Sequence, residues 1–354
     1  MQTIALQAAH TGAPLLAVLI PRRDLRPNDV DVRVTFCGVC HSDLHAIHTP
    51  AGAGGAFPLV PGHEFVGEVM AVGTDVTQFS PGDPVAVGNI VDSCGHCRMC
   101  DAGQENFCEE FPTLTYGGTD RADGSITSGA YSGRYVVQEH FVYHRPASLD
   151  PAAVAPLMCA GVTVWEPLRS AGVGPGTRLG VVGLGGLGHL AVRLGRALGA
   201  EVTVFTTSPS KDADARALGA QHVVLSTDDS AMSAHRGTLD VVIDTVAVNH
   251  DFARYLAALD LDGTLFSIGY LGTITIDTLD LLAGRKRLAS GGSGGHRYTQ
   301  ELLDFCGENG IVADVEVIPA ADVTVAFERL ARNDVRYRFV LDMRGIDDQF
   351  ERTK

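Results

Sequence analysis

Six residues constrain this chain more than any others: Gly183, Leu184, Gly185, Gly186, Leu187 and Gly188, which follow directly on the apolar run Leu179, Gly180, Val181 and Val182. Beyond them Leu187, Leu190, Ala191, Leu194 and Leu198 recur at helical spacing, and Val202, Thr203, Val204 and Phe205 read as a second strand. A GxGxxG string alone is a weak signal. Set between a strand and a helix, with another strand after it, it specifies a parallel βαβ unit. Gly183 permits the tight turn, Gly185 lets backbone approach a pyrophosphate, and Gly188 allows close helix packing. The helix N-terminus then presents partial positive charge to the phosphates. Further strands are expected at 222–225, 241–243, 264–268 and near Leu288, which together make a doubly wound parallel sheet.

The end of the second strand selects the dinucleotide. An NAD site places an acidic residue there, about 20 residues past the first glycine, to bind the ribose 2′-hydroxyl. Here that place holds Thr206, followed by Thr207, Ser208, Pro209, Ser210 and Lys211. Hydroxyls and a Lys cation suit a 2′-phosphate, which a carboxylate would repel. Glu201 begins the strand and so belongs at its opposite end. The expected cofactor is NADP(H).

Two groups of cysteines carry metal chemistry. Cys94, Cys97, Cys100 and Cys108 are near enough in sequence for short turns to gather four thiolates into a closed tetrahedral site with no position for substrate. Sets of four cysteines serve iron–sulfur clusters as well as structural zinc; His96, inside the run, is expected as an exposed spacer. Cys40 and His63, with Cys159 far downstream, would supply three donors to one zinc ion and leave its fourth position open, the arrangement of a catalytic metal. Taken singly, each is more readily a buried thiol or a hydrogen-bonded imidazole. Their contexts favour ligation. Cys40 opens the polar run His41, Ser42, Asp43 and His45, and His63 follows Pro58, Pro61 and Gly62 and precedes Glu64.

A chain of 354 residues exceeds what a single core supports, so two domains are expected. Lys and Arg number 27 against 42 Asp and Glu, a formal charge of -15 that disfavours a nucleic-acid partner. No apolar run approaches the roughly 20 residues of a membrane span, and residues 1–4 lack the basic-then-apolar pattern of a signal peptide. A soluble, cytoplasmic protein with no membrane partner is expected. In that reducing compartment the eight cysteines read as ligands or free thiols before disulfides.

Residues 1–35 alternate apolar and polar, as in Val30, Asp31, Val32, Arg33 and Val34, and the pattern continues through 65–69, 83–87 and 134–137. It predicts a β-rich, barrel-like first domain over 1–157, carrying the four-cysteine lobe at 94–108. The dinucleotide-binding domain follows over 158–294. A last segment, 295–354, with a helix at 299–306 and a strand at 338–341, is expected to return to the first domain.

Together these motifs resemble the zinc-containing medium-chain alcohol dehydrogenases, and within them the cinnamyl alcohol dehydrogenase branch. The resemblance covers nearly the whole chain and is carried by residues 37–45, 60–64, 94–108, 159–164, 183–189, 207–211 and 333–339. It implies an α/β protein: a GroES-like β-rich catalytic domain built from both chain ends, a Rossmann doubly wound parallel sheet inserted between them, and a homodimer. It implies two zinc ions per chain, a catalytic one on Cys40, His63 and Cys159 and a structural one on Cys94, Cys97, Cys100 and Cys108, with Cys37 left as a structural thiol. Glu64 is implied to sit beside the catalytic metal and exchange onto it. Asp43 is implied to orient the ligand His and set its tautomer. Ser42 and His45 are implied to relay a proton from the substrate oxygen through the cofactor ribose to solvent, and His41 and Thr163 to lie at the cofactor. The implied activity is hydride transfer between NADP(H) and a primary alcohol or aldehyde, aromatic or medium-chain. Departures touch the substrate pocket. The branch carries Trp before the Gly62–His63–Glu64 motif and after the fourth structural Cys, whereas here 48–55 and 112–116 contain none and Trp165 is the one Trp in the sequence. Glycines at 291, 292, 294 and 295 replace bulkier residues, so a wider or differently shaped pocket is expected.

Rival readings explain less. A zinc-free quinone or enoyl reductase of the same superfamily has no use for Cys40, His63 and Cys159 together. A methyltransferase binding S-adenosylmethionine on the glycine loop leaves residues 206–211 and the open metal site unexplained. A non-enzymatic zinc module accounts for the four cysteines and nothing else.

Overall fold

The structure, a computed structural model, describes residues 1–49, 57–270 and 272–347. Contacts divide the chain into one unit of Met1–Cys159 with Gly294–Lys354 and another of Ala160–Ser293. The divisions fall at 159/160 and 293/294, where 157/158 and 294/295 were expected. Cys159 thus belongs to the first unit, because it ends the short turn Ala155–Met158 and the helix Ala160–Ser170 begins only after it.

In the first unit the strand Asp29–Val39 is the hub. It pairs antiparallel with Phe65–Val72, with Arg134–Gln138 along its first half and with Arg338–Asp342 at its end. Arg338–Asp342 is paired in turn by the parallel strand Val315–Pro319, which carries the C-terminal segment into the same seven-stranded sheet. Val30, Val32, Val34, Phe65, Tyr131, Phe339 and Leu341 form its core, none more than 1% exposed. Each such large apolar side chain contributes about 1.5–3 kcal/mol by leaving water. The alternating pattern predicts Asp31 and Arg33 on a wet face. Arg33 does lie exposed, beside Glu68, but Asp31 is buried and bonded by Arg134 Nε at 3.0 Å from the adjoining strand.

Directly after the hub comes a helix that alternation does not predict, His41–His48. It starts there because Asp43, three residues past the cap, accepts the Cys40 N–H at 2.9 Å and closes a capping box.

The second unit holds six parallel strands in the order His222–Leu225, Glu201–Thr206, Arg178–Val182, Leu239–Asp244, Leu259–Ser267, Arg287–Ser290. The chain reverses its direction of winding between Arg178–Val182 and Leu239–Asp244. At such a switch point a crevice opens outside the carboxyl ends of the strands. Helix Gly188–Ala197 begins inside the glycine loop and buries Leu190, Ala191 and Leu194. Val182, Phe205, Val242, Phe252, Leu256 and Leu265 belong to this unit's own core. No helix among the described residues is long and apolar enough to cross a membrane.

Candidate metal centre and dinucleotide crevice

Three donors from distant parts of the sequence meet in the first unit. Cys40 Sγ lies 3.9 Å from Cys159 Sγ, and His63 Nε2 lies 3.2 Å from Cys159 Sγ. All three ligand atoms are within 4.8 Å of one another. Zn–S bonds of about 2.3 Å at tetrahedral angles would hold two thiolates about 3.8 Å apart, so the sulfurs already stand at the spacing of a zinc site. Between them the hydrogen bond from Cys159 draws the Cys40 thiol well below its ordinary range and holds Cys159 well above it.

Asp43 holds two of these donors in place. Its Oδ1 accepts from His63 Nδ1 and from the Gly62 N–H, both at 3.0 Å. Its Oδ2 accepts from the Cys40 N–H at 2.9 Å and from the Tyr131 hydroxyl at 3.2 Å. With Nδ1 facing this carboxylate, His63 turns its Nε2 toward Cys159. Burial lowers the imidazole of His63, but the Asp43 carboxylate outweighs it and raises it well above its ordinary value.

Glu64 is fully buried, and among the described residues neither carboxylate oxygen has a hydrogen-bond partner. Burial lifts its carboxyl to about 8, against the pull of the Arg338 guanidinium. Arg338, itself 3% exposed, places Nε 3.7 Å from Glu64 Oε1. Glu64 feels the charge of Arg338, Cys40 and His63, but it is not among the residues whose ligand atoms meet within 4.8 Å. Arg338 and Tyr131 carry no role in the sequence reading. Neither stands near Glu64 or Asp43 in the chain, and only the sheet register, which sets Phe339 against Val39, brings Arg338 there.

The remaining residues of the first unit fall around this group. Ser42 Oγ lies 3.7 Å from Cys40 Sγ. Ser42 and His45, three apart on the helix, share a face and are both exposed. His41 is half-buried, and burial lowers its imidazole. Cys37 is buried with no exposure, its Sγ 3.7 Å from the Gly38 carbonyl. Tyr116 stands edge-on to His63 at 5.7 Å, within the segment after the fourth structural Cys where the branch carries Trp. Residues 50–55 of the altered pocket loop lie outside the described residues.

Cys94, Cys97, Cys100 and Cys108 also converge, with Cys94 Sγ at 3.8 Å and Cys97 Sγ at 3.5 Å from Cys100 Sγ. The backbone N–H groups of Glu109 and then Cys100 hold Cys97 at about 6, the setting of a thiolate ligand. His96 is exposed, its ring bonded to the Cys94 carbonyl at 2.7 Å and 3.3 Å from Glu110.

In the second unit Gly183 takes φ +87°, and a Cβ on Gly188 would strike the Gly183 carbonyl. A Cβ on Gly185 would meet nothing within 4 Å, so this glycine leaves a backbone cradle open. Gly186 and Leu187 stand half-buried between the two. Thr206 ends its strand as expected but is only 5% exposed, and its Oγ1 accepts the Ser208 N–H at 3.2 Å. Its hydroxyl thus builds the turn, while Thr207 and Ser210 stand exposed and Ser208 Oγ meets Ser210 Oγ at 2.9 Å. Lys211 Nζ donates to the Leu184 carbonyl at 2.9 Å, tying this turn to the glycine loop. Thr163 Oγ1 accepts from the Ser293 N–H at 3.2 Å.

Residues 26–147 match the family described as alcohol dehydrogenase GroES-like domain, and residues 186–308 the family described as zinc-binding dehydrogenase. An aldehyde reductase of Escherichia coli is 45% identical over 98% of this chain and 100% of its own length. Among solved structures, a cinnamyl alcohol dehydrogenase of Sorghum bicolor superposes with a TM-score of 0.93 at 42% identity, covering 98% of each chain. The CAD protein of Helicobacter pylori complexed with NADP(H) superposes with a TM-score of 0.88 at 31% identity, covering 97% of this chain and 98% of that one.

Asp43→Asn sets an amide NH2 against groups that all donate. The variant is expected to hold one of its zinc ions about 10–100-fold more weakly in competition with a chelator, and to melt earlier by differential scanning calorimetry. Unchanged chelator sensitivity would remove Asp43 from metal binding.

Proposed function

The chain belongs to the zinc-binding alcohol dehydrogenases, and on that premise we propose that it is an NADP(H)-dependent aldehyde reductase and alcohol dehydrogenase working at Cys40, His63 and Cys159. The single observation that carries this reading is the meeting of those three donors at the spacing of a tetrahedral zinc with a fourth position to spare. Zinc held there supplies Lewis acidity to a carbonyl or hydroxyl oxygen, and the reduced nicotinamide supplies hydride to the carbonyl carbon. The net reaction is aldehyde, NADPH and a proton to primary alcohol and NADP.

The chain's own residues do the rest. Asp43 keeps the His63 tautomer that ligation needs. Ser42 Oγ–H, beside Cys40, gives its proton to the substrate oxygen as the aldehyde becomes an alcohol, and His45, exposed one turn on, restores that proton from solvent. Glu64 would be the neighbouring carboxylate able to take a place on a bound zinc while substrate enters or leaves. The glycine loop takes the pyrophosphate, with His41 and Thr163 as further cofactor contacts. Thr207, Ser208 and Lys211 take the 2′-phosphate, and Thr206 shapes their turn. Cys94, Cys97, Cys100 and Cys108 hold a second, structural zinc. The substrate is an aromatic or medium-chain aldehyde, on the likeness to an aldehyde reductase and a cinnamyl alcohol dehydrogenase.

A cytoplasmic homodimer completes the proposal. Eight cysteines with no disulfide among them support the compartment. The exposed Leu279 and Leu282 beside the edge strand Arg287–Ser290 support the dimer. Sedimentation at the mass of one chain would remove the dimer.

Cys159→Ala should keep the fold, bind one zinc per chain where the parent binds two, and lose about a thousandfold or more in kcat. Near-normal aldehyde reduction by that variant would sink the ligand assignment. Catalytic efficiency should be about tenfold or more higher with NADPH than with NADH; a preference for NADH would show that residues 206–211 do not read the 2′-phosphate.

A further inference from the structure

Nothing proposed above uses Asp244 or His250, yet they form a close polar pair at the mouth of the second unit's sheet. Asp244 ends the strand Leu239–Asp244, beside Val182 of the glycine-loop strand, and is 1% exposed. Its Oδ1 accepts the Val246 N–H at 3.0 Å, and its Oδ2 lies 2.8 Å from His250 Nε2. The other ring nitrogen, Nδ1, lies 2.9 Å from the Val248 carbonyl. A carboxylate and a carbonyl only accept. With Asp244 as a carboxylate, both nitrogens of His250 face acceptors, an arrangement that favours the imidazolium. It stacks on Phe252 at 4.4 Å, a placement that favours a cation, and meets Tyr255 edge-on at 5.7 Å.

The segment so pinned walls the crevice. Thr245 donates its N–H and its hydroxyl to the Val182 carbonyl at 3.0 and 2.8 Å. A Cβ on Gly183 would lie 3.0 Å from Thr245 Oγ1 and 3.2 Å from Val246 Cγ2, so these two side chains pack directly on the glycine loop. Tyr255 in turn meets Phe205 at 5.6 Å, the residue before Thr206.

We propose that His250 is a positioning residue that couples its own protonation to dinucleotide binding. As the imidazolium it pins residues 244–252 and keeps Thr245 and Val246 against the glycine loop; once it gives up a proton the wall loosens and the dinucleotide is held less tightly. The inference rests on the reading of that loop as the dinucleotide site. The charged and titratable groups around the ring are Asp244 on its strand, Asp251 on its own segment, and Tyr255 and Arg254 from the helix Ala253–Ala258. Arg254 is engaged by the Ser226 carbonyl, Asp229 and Asp251. The hydrogen bond to Asp244, the largest cause, raises the imidazole above its ordinary value. For a raised His the stabilising effect is complete below about 6.5 and is lost as pH climbs through the folded value.

The test measures NADPH dissociation constants on the zinc-loaded protein, by nicotinamide fluorescence, from about pH 7 to about pH 9.5, where the phosphate charge no longer changes. The parent should bind about fivefold or more weaker above the His250 transition. Asp244→Asn should move that transition to lower pH, and His250→Phe, which keeps the stack, should bind weakly with no such transition. On the parent alone, the His250 ring followed by NMR should titrate above about 6.5, and NADPH should raise that value further, as reciprocity requires. A ring that titrates near its ordinary value and ignores NADPH overturns the proposal, even where a variant fails to fold. NADPH binding that is tight and equal at all pH in the parent overturns the role of His250 alone. Absence of NADPH binding to the parent overturns the dinucleotide reading itself.

Discussion

Four donors converge on one buried carboxylate, and the metal centre is arranged around it. Asp43 has no solvent exposure, and its two oxygens take the Cys40 and Gly62 N–H groups, the His63 ring and the Tyr131 hydroxyl. A hydrogen bond to a charged group is worth about 1.5–3 kcal/mol, whereas a buried charge short of partners costs more than any one of them returns. The three segments that supply those donors, at Cys40, Gly62–His63 and Tyr131, are therefore bound to one another through Asp43. A shift in the Cys40 cap is a shift in the His63 ring. In a three-donor site the angle between ligands sets what the open position accepts, so this linkage is where the geometry of the centre is decided.

Beside it stands a carboxylate treated in the opposite way. Glu64 lies one residue beyond His63, as deeply buried as Asp43, yet it accepts no hydrogen bond and faces Arg338 at 3.7 Å. Its carboxyl stands near 8, since burial outweighs the guanidinium. Gly38 makes room for it, because a Cβ there would strike the Glu64 side chain. Saturated Asp43 holds the frame still. Glu64 has the Arg338 guanidinium as its charged neighbour instead, so two identical functional groups stand in opposite surroundings.

Local patterns made part of this legible from sequence. Four cysteines within 94–108 and glycines at 183, 185 and 188 are short-range signatures whose spacing alone specifies a turn and its chemistry, and the parallel sheet followed from the strands around them. The helix His41–His48 was missed because eight residues hold too few turns to display a period, although the Cys40-to-Asp43 capping pattern could have marked its start. Thr206 was read as a phosphate contact from its place at the strand end; its burial depends on how the following turn folds back. Tyr131, Arg338 and the Asp244–His250 pair escaped for a different reason. Their partners are set by sheet register and loop closure, which leave no mark on the spacing of residues in the chain.

The two cysteine groups also differ in what holds them together. Cys94 and Cys100 are six residues apart, whereas Cys40 and Cys159 are separated by 119. Closing the longer loop costs about 2.6 kcal/mol more in chain entropy. A metal in the four-cysteine lobe can organise its own short segment, since its ligands are never far from one another even in the unfolded chain. The three-donor centre has no such advantage. Cys40 and His63 flank paired strands of one sheet, Cys159 arrives from the turn Ala155–Met158, and Arg338 comes from the far end of the chain. Sheet pairing must bring them together before any cation is bound. The three-donor group is thus the one whose shape the fold would impose on a metal, and the four-cysteine group the one where a metal would impose shape on the fold.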